Sequence, residues 1–341
     1  MRSCHPAPYP LPGHFTKFMQ ELPLVDVSDV LSGRQDASAT AASVVSACES
    51  IGFMYVVGHG IPERLISQVY EDVKQFFSLP LEQKQRWQIT RSNYRGYIPR
   101  QFFSPGNGGA ADDYEGYKLH FQVQPSDPIC HAFDLYGPNR WPDSPARLQQ
   151  SVGEYWQACD RVAHCLLAML AAALDIQPET FLAMFQQPLT NMTLLHYPPR
   201  APSNGGFGIH PHKDTDALTI LAPNPVGGLM VRCRGRSDWL RVDAPPEALV
   251  VNIGDMLELW SGGRFVSTPH KVENDSGAER YSFPYFSVPR YDTVVKPLLR
   301  PLPGFARQPV PVGEVSREVW RTNWPDTQPQ NNAYDLGTLE N

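Results

Sequence analysis

The sequence lacks the features that mark several large classes of protein. No stretch approaches the roughly 20 apolar residues that a membrane-spanning helix needs, and no basic run marks a nucleic-acid-binding surface. The net charge of −6 at pH 7 also disfavours a nucleic-acid partner. The first residues lack the apolar core of a signal peptide. We therefore expect a cytoplasmic protein that binds neither membrane nor nucleic acid.

Paired cysteines are also missing. None of the six cysteines forms a Cys-x-x-Cys pair, so we expect neither a zinc knuckle nor a disulfide framework. Proline is abundant instead, with 34 in 341 residues, which indicates many turns and strand ends. The hydrophobic fraction of 42% is typical of a globular protein.

The spacing of apolar residues changes along the chain. The first part is mostly helical, and its longest predicted helix runs from about 144 to 175 with apolar residues every three or four positions. From about 188 to 290, short apolar runs alternate with turn residues, as in a sandwich or jelly roll. We predict a single domain over 1–341, with a helical part at about 1–185, a strand-rich core at about 188–290 and a tail at 291–341.

Five local predictions follow from the same patterns. We expect strands at 117–123, 256–260 and 281–288, and a loop over 95–109. Pro62 is predicted at the first position of a helix, where its missing N–H costs nothing.

Three residues have the chemistry of a metal site. His212-Lys-Asp214 precedes an apolar run, and on a strand residues two apart point to the same side. His270 begins another predicted strand. Two histidines and one carboxylate on one face of an octahedron leave three positions open, as non-haem Fe(II) oxygenases require. The spacing alone is a weak indication, because a capped turn and a hydrogen-bonded core histidine give the same pattern.

The neighbouring motifs strengthen this interpretation, because they follow one another in the order found in one enzyme family. In the second half they are Tyr197-Pro-Pro, His212-Lys-Asp214 with Ala-Leu-Thr219, Ala248-Leu-Val-Val-Asn252-Ile-Gly254-Asp255, Ser267-Thr-Pro-His270 and Arg280-Tyr-Ser282. In the first half they are Leu22-Pro-Leu-Val-Asp26, Gly58-His-Gly60, Arg95-Gly-Tyr97 and Asn139-Arg-Trp-Pro142. Over about 22–290 the chain resembles the isopenicillin N synthase-like branch of the Fe(II)/2-oxoglutarate dioxygenases. The alignment of Ala-Leu-Thr makes His212, and not His210, the ligand.

The resemblance implies an α+β fold, a distorted double-stranded β-helix (jelly roll) supported by N-terminal helices. It implies that His212, Asp214 and His270 hold Fe(II), with 2-oxoglutarate as co-substrate and O2 at the remaining site. Arg280 and Ser282 would grip the distal carboxylate of 2-oxoglutarate, and Tyr197 would donate its phenol to it. In such enzymes a ferryl intermediate oxidises a small-molecule substrate, and succinate and CO2 are released.

The position of one further strand suggests a substrate pocket. We predict that Lys118, His120 and Phe286 line it, although solvated or core positions would give the same pattern. The chain also departs from many plant members at Leu195, where they carry Asn. That change removes one polar contact near the co-substrate.

Two other functions remain open from the sequence. The first is an oxidase of the isopenicillin N synthase type that uses no 2-oxoglutarate, in which Arg280 and Ser282 bind the carboxylate of the substrate itself. The second is a non-catalytic jelly-roll binding protein, against which the intact triad argues. The substrate, the choice among hydroxylation, desaturation and ring closure, and the oligomeric state are not determined by the sequence.

Overall fold

The computed structural model describes residues 22–33, 37–103, 111–200 and 207–322. The helices in them are α1 Ser28–Leu31, α2 Ser38–Ser50, α3 Glu63–Phe77, α4 Leu81–Gln85, α5 Pro128–Ala132, α6 Leu148–Ala173, α7 Pro178–Ala183, α8 Asp255–Trp260 and α9 Val312–Thr322. The strands are β1 Leu24–Asp26, β2 Phe53–Val57, β3 Gly96–Ile98, β4 Glu115–His120, β5 Asn191–Tyr197, β6 Ile209–His212, β7 Leu218–Leu221, β8 Leu229–Val231, β9 Leu240–Arg241, β10 Leu249–Ile253, β11 His270–Val272, β12 Arg280–Ser282, β13 Tyr285–Ser287, β14 Val294–Val295 and β15 Val310–Pro311. None of these helices combines the length and apolarity that crossing a membrane would require.

Two sheets form the centre of the protein. The major sheet has the order β1-β2-β10-β7-β13-β5-β4-β3, and β12 also pairs with β5. The minor sheet has the order β6-β11-β8-β9. Apart from the parallel pair β1 and β2, the strands in both sheets run antiparallel. Strands of both sheets share one apolar core, so the sheets face each other as a jelly roll, as predicted.

The two faces of the major sheet bury different sets of side chains. On β2, Phe53 and Tyr55 enter the core between the two sheets, whereas Met54 and Val56 enter the larger core under the helices. This is the period-two alternation of a strand covered on both sides. A register slip by one residue would exchange the two sets, so the burial pattern fixes the register.

The long helix α6 supports the outer face of the major sheet. Its buried residues Val152, Tyr155, Cys159, Val162 and Leu166 are spaced by threes and fours, as the sequence predicts. It packs against α2, α3 and α7. Burial of each large apolar side chain contributes about 1.5–3 kcal/mol, so this stripe fixes the helix against the sheet.

The prediction of a strand at 256–260 is wrong, because these residues lie within α8. All six residues of this helix are buried, including Asp255 and Glu258, so it has no solvent-exposed face for a helical pattern to mark. Gly254 takes an extended conformation and begins the helix. A short run that is buried on every side gives the same apolar signal as a buried strand.

Four other boundaries differ from the sequence predictions. The predicted loop contains β3, and the strand predicted at 117–123 covers 115–120. The strand predicted at 281–288 is two strands, β12 and β13, separated at Pro284, which has no N–H to donate. Pro62 precedes the first helical residue instead of occupying that position.

The major sheet crosses the predicted subdivision of the chain. Strands β1 to β4 come from the first 185 residues, and two of them pair with strands of the second half, β2 with β10 and β4 with β5. The predicted tail contributes β14, β15 and α9. Residues 1–21 and 323–341 lie outside the described part. The single-domain organisation over 1–341 stays a prediction.

Candidate metal centre and active-site cavity

His212, Asp214 and His270 converge at one end of the minor sheet. His212 ends β6 and His270 begins β11, and the two are direct partners in the antiparallel pair. The Oδ1 atom of Asp214 lies 3.7 Å from Nε2 of His212 and 3.6 Å from Nε2 of His270. One ligand atom from each of the three residues lies within 4.8 Å of the others. Asp214 follows the end of β6, so the premise that both residues of His-x-Asp lie on a strand is wrong.

Hydrogen bonds determine which nitrogen of each histidine is available. Nδ1 of His212 lies 2.8 Å from the carbonyl oxygen of His210, and Nδ1 of His270 lies 3.1 Å from that of Thr268. A carbonyl can only accept, so each Nδ1 carries the proton. Each Nε2 therefore keeps its lone pair for a metal, the usual arrangement for a ligating histidine.

The carboxylate of Asp214 is oriented in a similar way. Its Oδ2 atom accepts hydrogen bonds from Oγ1 of Thr219 at 2.5 Å and Nδ2 of Asn252 at 2.8 Å. Thr219 and Asn252 are direct partners on β7 and β10 in the major sheet. These two bonds leave Oδ1 free, and Oδ1 is the atom that lies beside both histidines.

The ionisation of the centre suits a divalent cation. Burial, aided by His270, lowers the pKa of His212 to about 4, although Asp214 opposes the shift. Burial alone would raise the pKa of Asp214, but His270, His212, Thr219 and Asn252 bring it below its usual value. At neutral pH a neutral imidazole therefore lies beside an ionised carboxylate, as metal binding requires. Two imidazole nitrogens and one carboxylate oxygen are the donor set of non-haem Fe(II) sites.

A cavity of about 400 Å³ opens beside the triad, and Lys118, His120 and Phe286 all line it. His120 and Phe286 flank Asn191 in directly paired positions of the major sheet. The far wall includes Trp320 of α9, whose ring centroid lies 4.6 Å from that of His120. Burial lowers the pKa of His120, so this imidazole is neutral at physiological pH. The contact of these residues with substrate stays a prediction.

Arg280 lies inside the jelly roll. Its guanidinium is buried, its Nε donates to the carbonyl of Gly227 at 2.7 Å, and its Nη1 has no hydrogen-bond partner. An unsatisfied buried guanidinium N–H is unfavourable, so this atom fits a carboxylate that arrives with a ligand. Ser282 is two residues along β12, on the same side of the strand.

Tyr197 connects this arginine with the metal cavity. Cζ of Arg280 lies 4.7 Å from the centroid of the Tyr197 ring, and the ring of Tyr114 lies 5.9 Å away on another side. Arg280 lines a second cavity of about 160 Å³, whereas Tyr114 lines the metal cavity. Burial raises the pKa of Tyr197 to about 12, so its phenol stays protonated and can donate a hydrogen bond to a carboxylate.

A glycine turn shapes the pocket of Arg280. Gly228 has φ +92, and a Cβ there would lie 2.3 Å from the carbonyl oxygen of Glu273. Only glycine fits this position, and the preceding residue, Gly227, supplies the carbonyl that holds Arg280.

The sequence predictions missed the residues that orient the ligands. Thr219 and Asn252 belong to the motifs Ala-Leu-Thr and Val-Val-Asn, so their positions were noted, but the sequence did not indicate that they orient Asp214. His210, predicted not to be a ligand, has Nδ1 3.0 Å from both carboxylate oxygens of Asp112. This contact with Asp112 occupies Nδ1 of the ring without a metal, and the sequence alone does not reveal Asp112 as the partner.

A jelly roll that carries two histidines, one carboxylate and a buried arginine with one unpaired N–H has the features of a mononuclear non-haem iron oxygenase. Residues 22–144 match a family model described as the N-terminal region of a non-haem dioxygenase in morphine synthesis. Residues 189–289 match the model of the 2OG-Fe(II) oxygenase superfamily. The chain belongs to the 2OG-Fe(II) oxygenase superfamily.

Individual relatives agree with this assignment. The chain is 32% identical over 278 residues to 2-oxoglutarate-dependent dioxygenase 11 of Oryza sativa subsp. japonica, covering 81% of this chain and 74% of the relative. It is 32% identical over 267 residues to 2-oxoglutarate-dependent dioxygenase thnC of Trichoderma harzianum, covering 76% and 82% of the two chains. The crystal structure of JOX2 in complex with 2OG, Fe and JA superimposes with a TM-score of 0.74 and 26% identity, over 91% of this chain and 87% of that one. The protein is thus an Fe(II)- and 2-oxoglutarate-dependent oxidoreductase.

Proposed function

We propose that His212, Asp214 and His270 bind one Fe(II), and that Arg280, Ser282 and Tyr197 hold the distal carboxylate of 2-oxoglutarate. A small organic substrate then occupies the cavity beside the triad. The observation that carries this assignment is the convergence of two Nε2 lone pairs and one free carboxylate oxygen on a single point.

Charge complementarity supports the position of the co-substrate. A dicarboxylate that is buried beside iron needs both of its ends neutralised, because an unpaired buried carboxylate is costly. The metal neutralises the keto-acid end. The other end needs a fixed cation with free donors, and Arg280 supplies a buried guanidinium whose Nη1 lacks a partner.

The bound iron and 2-oxoglutarate supply the oxidising chemistry, in which O2 is consumed and 2-oxoglutarate becomes succinate and CO2. The residues of the protein orient the metal ligands and limit water in the cavity. Thr219 and Asn252 keep Oδ1 of Asp214 turned towards the metal. Phe286 and Trp320 give the cavity an apolar wall that limits water near the oxidised C–H bond.

A small molecule is the substrate class that best fits this cavity. Its volume of about 400 Å³ lies within the ~300–1,000 Å³ typical of small-molecule sites. JOX2, which resembles this chain, was crystallised in complex with 2OG, Fe and JA. A reducing compartment such as the cytoplasm would keep the iron ferrous.

The test of this function is succinate formation by the purified protein supplied with Fe(II), O2 and 2-oxoglutarate. We expect slow succinate release without added substrate, faster release with a substrate, and none when Fe(II) is omitted. His212→Ala, assayed in parallel, sets the background. Oxidation of an added substrate at full rate without 2-oxoglutarate would instead support the oxidase, and Arg280 would then bind the carboxylate of the substrate.

A further inference from the structure

Lys118 places an ammonium group in the wall of the metal cavity. It lies on β4 directly opposite Thr193 of β5, on the strand face that also carries His120. Its Nζ donates to Oδ1 of Asn191 at 2.6 Å and to Oγ1 of Thr193 at 2.9 Å. An ammonium has three N–H donors, so two are satisfied by the protein and one remains.

The other lysines with enclosed side chains have a carboxylate partner, whereas Lys118 has none among the described residues. Lys84 pairs with Glu115 at 2.7 Å, Lys213 with Glu258 at 3.7 Å and Lys271 with Glu273 at 2.5 Å. The protein partners of Lys118 are a neutral amide and a neutral hydroxyl. An enclosed cation without a counter-ion is unfavourable, so the missing charge is expected to come from a ligand.

The nearest acidic groups do not fill this role. Asp216 and Asp214 raise the pKa of Lys118 by their charges, but burial outweighs them and brings it to about 7. Neither forms an ion pair with Lys118 within the described chain, and in the proposed function Asp214 is a ligand of the metal. A ligand carboxylate in direct contact with Nζ of Lys118 would favour the charged ammonium.

Part of the remaining wall is apolar and rich in aromatic rings, and its polar part includes Asp112, Lys213, Asp214 and Asp216. Nζ of Lys118 lies 5.3 Å from the centroid of the Phe286 ring. Tyr94, Leu189 and Trp320 also line the cavity, and the ring of Trp320 stacks on that of Tyr94 at 5.4 Å. An ammonium without a carboxylate partner, placed beside aromatic rings, suits a ligand with a flat apolar body and a single negative group.

We propose that the substrate is a small, ring-bearing monocarboxylic acid whose carboxylate pairs with Lys118. This proposal rests on the proposed function, because it concerns the substrate of that same iron centre. The ion pair would anchor the acid at β4 and direct its apolar part along the cavity, which fixes the carbon presented to the metal. Asn191 and Thr193 are positioning residues, since they orient the ammonium without being needed as ligand contacts.

The test is anaerobic calorimetric titration of the protein loaded with Fe(II) and 2-oxoglutarate. The probes are phenylacetate, 3-phenylpropanoate, 4-phenylbutanoate and cyclohexylacetate, each compared with its own amide, which keeps the shape and removes the charge. We expect at least one acid to bind the wild-type protein about 10- to 100-fold more tightly than its amide, the range for a hydrogen bond to a charged group. Lys118→Met should remove this preference, and Lys118→Arg should retain most of it.

Two controls separate a local effect from other causes. Lys74→Met removes an exposed lysine of α3 and should leave the preference for the acid unchanged. Titration of 2-oxoglutarate into the Fe(II) form of Lys118→Met should give the wild-type affinity. A large loss there would assign Lys118 to the co-substrate and overturn the proposal.

The proposal is also overturned if the wild-type protein prefers no acid over its amide, or if the preference survives in Lys118→Met. Failure of the proposed function has a different signature, because the wild-type protein would then not bind 2-oxoglutarate in the presence of Fe(II).

Discussion

His212 and His270 are direct partners across the antiparallel pair β6 and β11, and their ring centroids are 4.3 Å apart. In each residue a backbone carbonyl two positions earlier holds Nδ1, so both Nε2 atoms are free. This pairing brings together two histidines that are far apart in the sequence. It makes the metal site a property of the sheet register, with Asp214 completing it.

The first prediction concerns the metal ligands. His212→Ala removes one of three donors and should weaken Fe(II) binding so strongly that little iron remains after gel filtration. His210→Ala is the matched control, because His210 is two residues away and is held by Asp112. The measurement is the amount of iron bound per protein molecule in His212→Ala and in His210→Ala. Wild-type iron content in His212→Ala would refute the ligand assignment.

The second prediction concerns the orientation of Asp214. Thr219→Val keeps the size of the side chain but removes the hydroxyl that donates to Oδ2. Loss of such an orienting bond typically costs about 10- to 100-fold in metal affinity. Thr219→Ser retains the hydroxyl and should bind Fe(II) nearly as well as the wild type. Equal Fe(II) dissociation constants for the Val and Ser variants would show that the bond does not orient the ligand.

The third prediction concerns pH and the metal-free protein. Burial brings the pKa of His212 to about 4 in the folded state, below its ordinary value of 6.5, so the unfolded chain binds more protons between these two pH values. The contribution of His212 to stability is therefore full above about 6.5 and is lost as the pH falls towards 4. Urea unfolding at pH 7 and pH 5 should show a smaller decrease in unfolding free energy for His212→Gln than for the wild type. The same decrease in both proteins would mean that His212 does not titrate in this way.

Much of this site could be predicted from the sequence because its residues stand in ordered motifs. His212, Asp214 and His270 are identified by residue type and context, and the structure brings them together. Thr219 and Asn252 could not be given a role, because their contact with Asp214 depends on how the major sheet faces the minor one. Lys118 could be placed near a pocket from its strand, but its lack of a counter-ion is visible only in three dimensions.

Local sequence patterns also predict only part of the fold. The apolar spacing of α6 is sufficient to predict that helix. The sequence of α8 predicts a strand instead of a helix, because the helix is buried on all sides and has no solvent-exposed face. The contribution of β1 to β4 to the major sheet is a long-range pairing, which local patterns do not specify.

The fourth prediction concerns the co-substrate. Breaking a buried charge pair costs about 3–5 kcal/mol, so Arg280→Ala should nearly abolish 2-oxoglutarate binding while Fe(II) still binds. Arg280→Lys keeps the charge but loses the planar fork, so its affinity for 2-oxoglutarate should lie between those of the wild type and Arg280→Ala. Arg241→Ala is the control, because Arg241 lines the same small cavity but is exposed and pairs with Asp243. Unchanged 2-oxoglutarate affinity in Arg280→Ala would mean that another cation binds the co-substrate.

The most direct test of the central claim is anaerobic addition of 2-oxoglutarate to the Fe(II)-loaded protein, monitored by visible absorption. Chelation of the iron by the keto-acid gives a metal-to-ligand charge-transfer band. We predict that the band appears and saturates at one 2-oxoglutarate per protein in the wild type, is absent in His212→Ala, and requires far more 2-oxoglutarate in Arg280→Ala. A wild-type protein that binds iron but develops no band at saturating 2-oxoglutarate would contradict the account.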